Sequence, residues 1–215
     1  PPRSPPPPPK QSWWKRFTQR LDRLPQNYVT GGIIGLNVLV WMQWKVGWQN
    51  FSRFKDEQPL RFLFENFATS WENYRAGRWW TLITAAFSQM EEGHLLINCL
   101  SLWFTADAVM SVIGVSRFMG VYLLGGVASS IVSIWWRGDK QGHSLGASGA
   151  VYACLSLFGL MFPTTKFLIF FVLPVPAWAC IGGILAWDLW GMFSKQGGSD
   201  NAGHVGGILA GAAMY

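Results

Sequence analysis

The chain has 215 residues, 50% of them hydrophobic and only 13% charged, with 14 tryptophans and a net charge of +6. So few charges cannot clothe a water-soluble domain of this size, so an all-α polytopic membrane protein is expected. Three cysteines, Cys99, Cys154 and Cys180, lie inside apolar runs without a close partner in sequence, which argues against a disulfide framework and a zinc site.

Pro1 to Pro9 is proline-rich and reads as an extended tail outside any packed core. Between Ser12 and Leu24, Trp14, Phe17, Leu21 and Leu24 recur at spacings of three, four and three, while Lys15, Arg16, Arg20 and Arg23 fill the rest of the turn. This is the pattern of a basic amphipathic helix on a membrane surface, and Trp13 beside Trp14 suits the headgroup level. Residues 1–27 are therefore set apart as tail and interfacial segment, and 28–215 as the core.

Six apolar stretches follow: Tyr28 to Trp48, Leu95 to Ile113, Phe118 to Trp136, Ala147 to Phe162, Phe167 to Phe193, and Gly203 onward. The first five are near the length of a spanning helix, whereas the sixth falls short of the ~20 residues a span needs. With no methionine at its start either, the sequence reads as a piece cut at both ends, its last helix truncated. The Gln49 to Gly93 loop carries Phe62, Leu63, Phe64, Phe67, Trp71, Trp79 and Trp80, and is expected to lie half-immersed at the membrane edge. Residues 1–27 hold six basic side chains against one acid, Asp22, and Arg117 and Lys166 fall in later connections on the same side. The amino-terminal side is then the inner one.

Six helices starting inside make the second, fourth and sixth begin together on the outer side. Their first turns read Gly93-His94-Leu95-Leu96-Ile97-Asn98, Gly146-Ala147-Ser148-Gly149 and Gly203-His204-Val205-Gly206-Gly207. Each has a bland explanation: small residues, including Gly203, Gly207 and Gly211 at every fourth position, are what close helix packing in lipid requires, and His94 and Asn98 can simply bond a neighbouring helix. Polar groups gathered at one level of a membrane nevertheless point to a site. His204 is suited to take the Ser148 proton, while the Ser148 backbone N–H, the Asn98 amide and the His94 imidazole are donors for an oxyanion. Glycines on the sixth helix facing Gly149 and Ala153 would let the two backbones approach, and Tyr152, one turn after Ser148, could brace the His204 ring.

No acid falls at an obvious third position. Asp200 reads as a solvated loop residue, so a Ser-His dyad is expected without a third member. Asp188, inside the fifth stretch, needs a polar partner that the sequence does not name. His143 is given a loop role, and Pro174 and Pro176 a kink in the fifth helix near a substrate gate. The run Gly146 to Ala150 lacks the last glycine and the preceding strand of a soluble hydrolase elbow.

His94-x-x-x-Asn98, Gly146-Ala147-Ser148-Gly149, Tyr152 and His204-x-x-Gly207-x-x-x-Gly211, in that order, resemble the rhomboid intramembrane serine proteases over roughly Tyr28 to Tyr215. The resemblance implies a six-helix core with Ser148 as nucleophile, His204 as general base and then acid, His94 and Asn98 as oxyanion donors, and Tyr152 as stacking partner. It also implies single-pass membrane proteins as substrates, cut near the membrane edge, with no metal, cofactor or nucleic acid. The run Ser144 to Ala150, the sequence Gly203 to Gly207 and Asp188 are similar to the mitochondrial branch, the presenilin-associated rhomboid-like group and its fungal relatives. That likeness implies the mitochondrial inner membrane, a site opening toward the intermembrane space, and a further helix before the core, where this chain has only proline-rich and basic residues. Arg78-Trp79-Trp80 departs from the Trp-Arg often found in the first loop, and no role is carried over to it. Two other readings are a silent rhomboid-like binding protein, whose kind typically lacks the serine or histidine, and a small transporter, whose site would lie midway along broken helices.

Overall fold

Ser12 opens α1 (Trp13–Leu21) by accepting a hydrogen bond from the Lys15 N–H at 3.2 Å. None of its residues is buried, and the Trp13 and Phe17 rings stack with centroids 5.5 Å apart. The computed structural model describes residues 12–138, 142–169, 172–194 and 200–215; the proline-rich tail expected at Pro1 to Pro9 lies outside them.

The first apolar stretch is a 29-residue helix, α2 (Gln26–Phe54), closed by Lys55 in the left-handed conformation at φ 57°. The region expected to be an aromatic loop is mostly helical: α3 (Gln58–Phe67), α4 (Trp71–Arg75), α5 (Thr81–Thr84) and a 3-10 turn at Ala85–Phe87. Its apolar residues are periodic enough for α3 to bury Leu60 and Leu63 against the fully buried Trp44 of α2, whose indole N–H donates to Ser88 Oγ at 2.6 Å. Part of this apolar surface is thus consumed by packing on the bundle, while Phe62, Trp79 and Trp80 remain exposed.

Two long helices follow, α6 (Glu92–Ile113) and α7 (Val115–Arg137). Asp22 caps the second of them, its Oδ1 accepting the Ser116 N–H at 2.8 Å, so α1 is fixed at the end of the bundle where α7 begins. Among the described residues, α6 and α7 are the two helices long and apolar enough to cross a membrane. The fourth stretch forms a helix of only 14 residues, α8 (Ser148–Met161), so the near-spanning length expected of it is not met. It is nevertheless central: 11 of its residues are buried, against α6, α7 and the last helix, α10 (Asn201–Ala213).

The single kinked helix expected over Phe167 to Phe193 is not formed. The structure has an antiparallel hairpin, β1 (Lys166–Ile169) with β2 (Leu173–Pro176), followed by α9 (Ala177–Phe193). Proline supplies no N–H and clashes with the preceding helical turn. Pro174 therefore pairs with Leu168 in the hairpin, and Pro176 opposite Lys166 stands as the residue before α9. At 17 residues α9 is apolar but short, and it buries only Ala177 and Asp188, so it lies at the edge of the bundle.

Glycine determines how closely α8 and α10 approach. A Cβ on Gly207 would run into the Gly149 carbonyl, and one on Gly211 into the Ala153 carbonyl. These helices touch backbone to backbone, as small residues permit in lipid where no hydrophobic force drives helices together.

Candidate active site

The segment leading into α8 is held on both sides. Thr69 and Ser144 exchange two backbone hydrogen bonds of 2.7 Å, the Gly146 N–H donates to the Ala85 carbonyl at 3.1 Å, and Arg137 donates to the His143 carbonyl at 3.1 Å. The His143 ring packs on Phe64 with centroids 4.8 Å apart, consistent with a loop role. Burial pushes its pKa below the usual histidine value, with Arg137 adding to the effect and Glu72 opposing it. Gly146 has φ +156°, and a Cβ there would meet Ser148 Oγ at 3.3 Å and the His94 ring at 3.4 Å. That position thus needs glycine, and it places His94 beside Ser148.

Ser148 is the first residue of α8 and 6% exposed. Its backbone N–H, like the others of a first turn, has no acceptor within the helix. Across the glycine contact, His204 lies in the first turn of α10 with Nε2 2.8 Å from Ser148 Oγ. The other ring nitrogen, Nδ1, is 3.0 Å from Oδ1 of Asp188, a residue 3% exposed on α9. Tyr152 meets the His204 ring edge-on, with centroids 4.7 Å apart and planes at 61°.

Two sequence expectations change here. Asp188 has its polar partner: it is the acid on His204 that the reading of a bare Ser-His dyad did not place. The signal was available only as a buried acid in an apolar run, because Asp188 and His204 sit on different helices. Asp200 is not a solvated loop residue either. Its Oδ1 accepts the Gly203 N–H at 3.1 Å and caps α10, while Oδ2 accepts from the Ser133 hydroxyl at 2.5 Å and from the Ser144 hydroxyl. The end of α7, the loop before Ser148 and the start of the His204 helix are thus joined through one carboxylate, and Gly203 leaves it room: a Cβ there would lie 2.8 Å from Asp200 Oδ2. Asp200→Ala is expected to lower stability by about 2 kcal/mol, through loss of a cap and of the serines' acceptor. Thermal unfolding in detergent would measure it, and an unchanged midpoint would show that this junction does not hold the helix ends.

Asn98, one turn after His94 on α6, is 3% exposed and donates an amide N–H to Gln89 Oε1 at 3.0 Å. Beside His204 a cavity of about 420 Å³ is lined by Tyr152, Cys180, Ile184, Trp187 and Asp188 among others. No group of three or more metal-ligating side chains occurs among the described residues. A serine hydroxyl on a histidine, the histidine on a carboxylate with a cavity beside them, and a helix-start N–H on the same serine are parts that acyl transfer uses.

A family model described as Rhomboid domain matches residues 76–215. The chain is 34% identical over 193 residues to Rhomboid protein 1, mitochondrial, of Saccharomyces cerevisiae, which covers 87% of this chain and 52% of that protein. It is 30% identical over 204 residues to the human Presenilin-associated rhomboid-like protein, mitochondrial, covering 93% of this chain and 49% of that protein. RHOMBOID-like protein 12, mitochondrial, of Arabidopsis thaliana is 26% identical over 218 residues, covering 94% and 61%. The chain spans about half the length of the first two of these proteins and somewhat more of the third.

Proposed function

The chain belongs to the rhomboid family, and from that premise we propose that it is an intramembrane serine endopeptidase that cuts single-pass membrane proteins within or near their transmembrane segments. The observation that carries the reading is the 2.8 Å approach of Ser148 Oγ to His204 Nε2, with Asp188 on the far side of the ring at 3.0 Å.

In this mechanism His204 takes the Ser148 proton at Nε2 as Oγ attacks the scissile carbonyl carbon. The negative charge that develops on the carbonyl oxygen is met by the Ser148 N–H, the Asn98 amide and the His94 ring. His204 then protonates the leaving amine, and water, activated by the same nitrogen, releases the acyl group from Ser148. Asp188 accepts the Nδ1–H, which holds the ring in the tautomer whose Nε2 is free to accept, and it offsets the charge on the ring after proton transfer. Tyr152 limits rotation of that ring. Asp188 thereby extends the Ser-His pair rather than replacing it.

The membrane setting belongs to the same proposal. Residues 28–215 form the catalytic core, with α2, α6, α7, α8, α9 and α10 as its six membrane helices, and α1 lies at the interface. A helix of 14 residues is about 21 Å long, less than the ~30 Å hydrocarbon core. With the far end of α8 near the inner surface, Ser148 lies below the outer headgroups, and the cavity beside His204 supplies it with water and substrate. The mitochondrial names of the relatives support a mitochondrial membrane as its setting, and the inner membrane is the one this reading assigns.

The test is labelling of the detergent-purified chain by a fluorophosphonate probe. Labelling of the parent that is absent in Ser148→Ala and His204→Ala is expected, since only an activated serine reacts. A folded parent that does not label would replace the protease by a rhomboid-like binding protein.

A further inference from the structure

Among the buried polar side chains not used by Ser148 and His204, four form one connected chain that ends at Asn98. Tyr122 of α7 donates its hydroxyl proton to the Ala86 carbonyl at 2.9 Å. Asn37 of α2 donates its amide N–H groups to the Ile33 carbonyl at 2.9 Å and to Tyr122 Oη at 3.2 Å. Gln89, in the segment before α6, donates Nε2–H to Asn37 Oδ1 at 3.3 Å, and its Oε1 accepts from Asn98 Nδ2 at 3.0 Å. All four are buried, Gln89 completely.

The two ends of a side-chain amide have nearly the same shape, so packing cannot decide which of them faces a given neighbour. Hydrogen-bond direction can. The Ala86 and Ile33 carbonyls only accept, so the Tyr122 proton and the Asn37 amide group are both assigned. Only Oδ1 of Asn37 then remains for Gln89, which must turn its own amide group that way and its oxygen toward Asn98. Asn98 must answer with N–H. One of its two amide hydrogens is held by Gln89, and the other stays on the same nitrogen. Reversing Asn98 alone would set two buried acceptors against each other, and would put a carbonyl oxygen where a donor is needed.

We propose that Gln89 is a positioning residue for catalysis: backed by Asn37 and Tyr122, it fixes the Asn98 amide so that N–H, and never C=O, is offered to the oxyanion. The inference rests on the oxyanion role given to Asn98 under the proposed function. It explains why a full-sized polar side chain is completely buried before α6, hydrogen-bonded to Asn37 and Asn98.

The experiment is a double-mutant cycle on cleavage of a transmembrane substrate by the purified full chain, with thermal unfolding of each variant. Asn98→Ala is expected to lower kcat roughly 100-fold. Gln89→Met, of similar length but without an amide, is expected to lower kcat roughly 10-fold with KM unchanged, and to add nothing in the Asn98→Ala background. Tyr122→Phe, which frees one Asn37 N–H at the far end, is expected to lower kcat about 3-fold with the same dependence on Asn98, and it decides the matter should Gln89→Met not fold. Equal losses with and without Asn98, or a parental kcat in these variants while Asn98→Ala is slow, overturn the inference alone. A parental kcat in Asn98→Ala removes the oxyanion role itself.

Discussion

Cleavage by the His204→Ala variant is expected to fall by on the order of 10⁴-fold or more in kcat, with KM little changed, because the nucleophile and the leaving amine lose their proton carrier together. Asp188→Asn is expected to lose a large part of the same factor, roughly 10²- to 10⁴-fold. The substitution nearly preserves shape but not hydrogen-bond direction. An asparagine can turn its amide group toward Nδ1, and the proton would then sit on Nε2, where Ser148 needs an acceptor. Steady-state rates for Ser148→Ala, His204→Ala, Asp188→Asn and the His204→Ala/Asp188→Asn pair would check this. The pair is expected to be no slower than His204→Ala, since Asp188 acts through the ring it holds at 3.0 Å. A kcat within about 2-fold of the parent in Asp188→Asn would return the mechanism to an unassisted Ser-His dyad.

The second large effect is expected at the α8–α10 contact. Gly207→Val would press two methyl groups toward the Gly149 carbonyl, and backbone on one helix cannot move without dragging Ser148 or His204 with it. A destabilisation on the order of 3 kcal/mol is expected, with loss of fluorophosphonate labelling even in the fraction that stays folded. Gly182 of α9 is the matched control, because nothing lies within 4 Å of a Cβ placed there. Gly182→Ala is expected to leave labelling unchanged and to raise stability by about 0.5 to 1 kcal/mol through helix propensity. If both variants unfolded at the parental temperature and labelled alike, close backbone approach would not be what brings His204 to Ser148.

Both expectations depend on small residues that have two uses. In the sequence, the glycines around Ser148 and along the last helix pointed by themselves to packing, and to chemistry only together with Ser148, His204, His94 and Asn98. The structure joins the two uses at Gly207, whose contact with the Gly149 backbone brings α10 close enough for the 2.8 Å distance between Oγ and Nε2, while Gly149 itself has no room for a Cβ because Ser129 of α7 lies against it. Asp200 adds a second constraint at the same end, fixing where the His204 helix begins relative to the loop before Ser148.

The sequence by itself determined the class and pointed to the candidate site. An apolar, charge-poor chain must be a membrane protein, and Ser148, His204, His94, Asn98 and Tyr152 stand out because costly polar groups recur at helix starts among small residues. Local apolar character also sufficed to place the end of α6 at Ile113. It did not suffice over Phe167 to Phe193, where mean apolar character suggested one helix although two prolines, each lacking an N–H, require a hairpin and a fresh helix start. Only the tertiary structure decided what Asp188, Asp200 and Gln89 do. A carboxylate or amide in an apolar run announces that it has a partner, but hydrogen bonds act over about 3 Å of space and take no account of position along the chain. Asp188 meets His204 from another helix, Asp200 joins a cap to two serines far upstream, and Gln89 links α2 to α6. Such pairings arise when helices of fixed length pack at angles set by their glycines, and no spacing within a single helix encodes them.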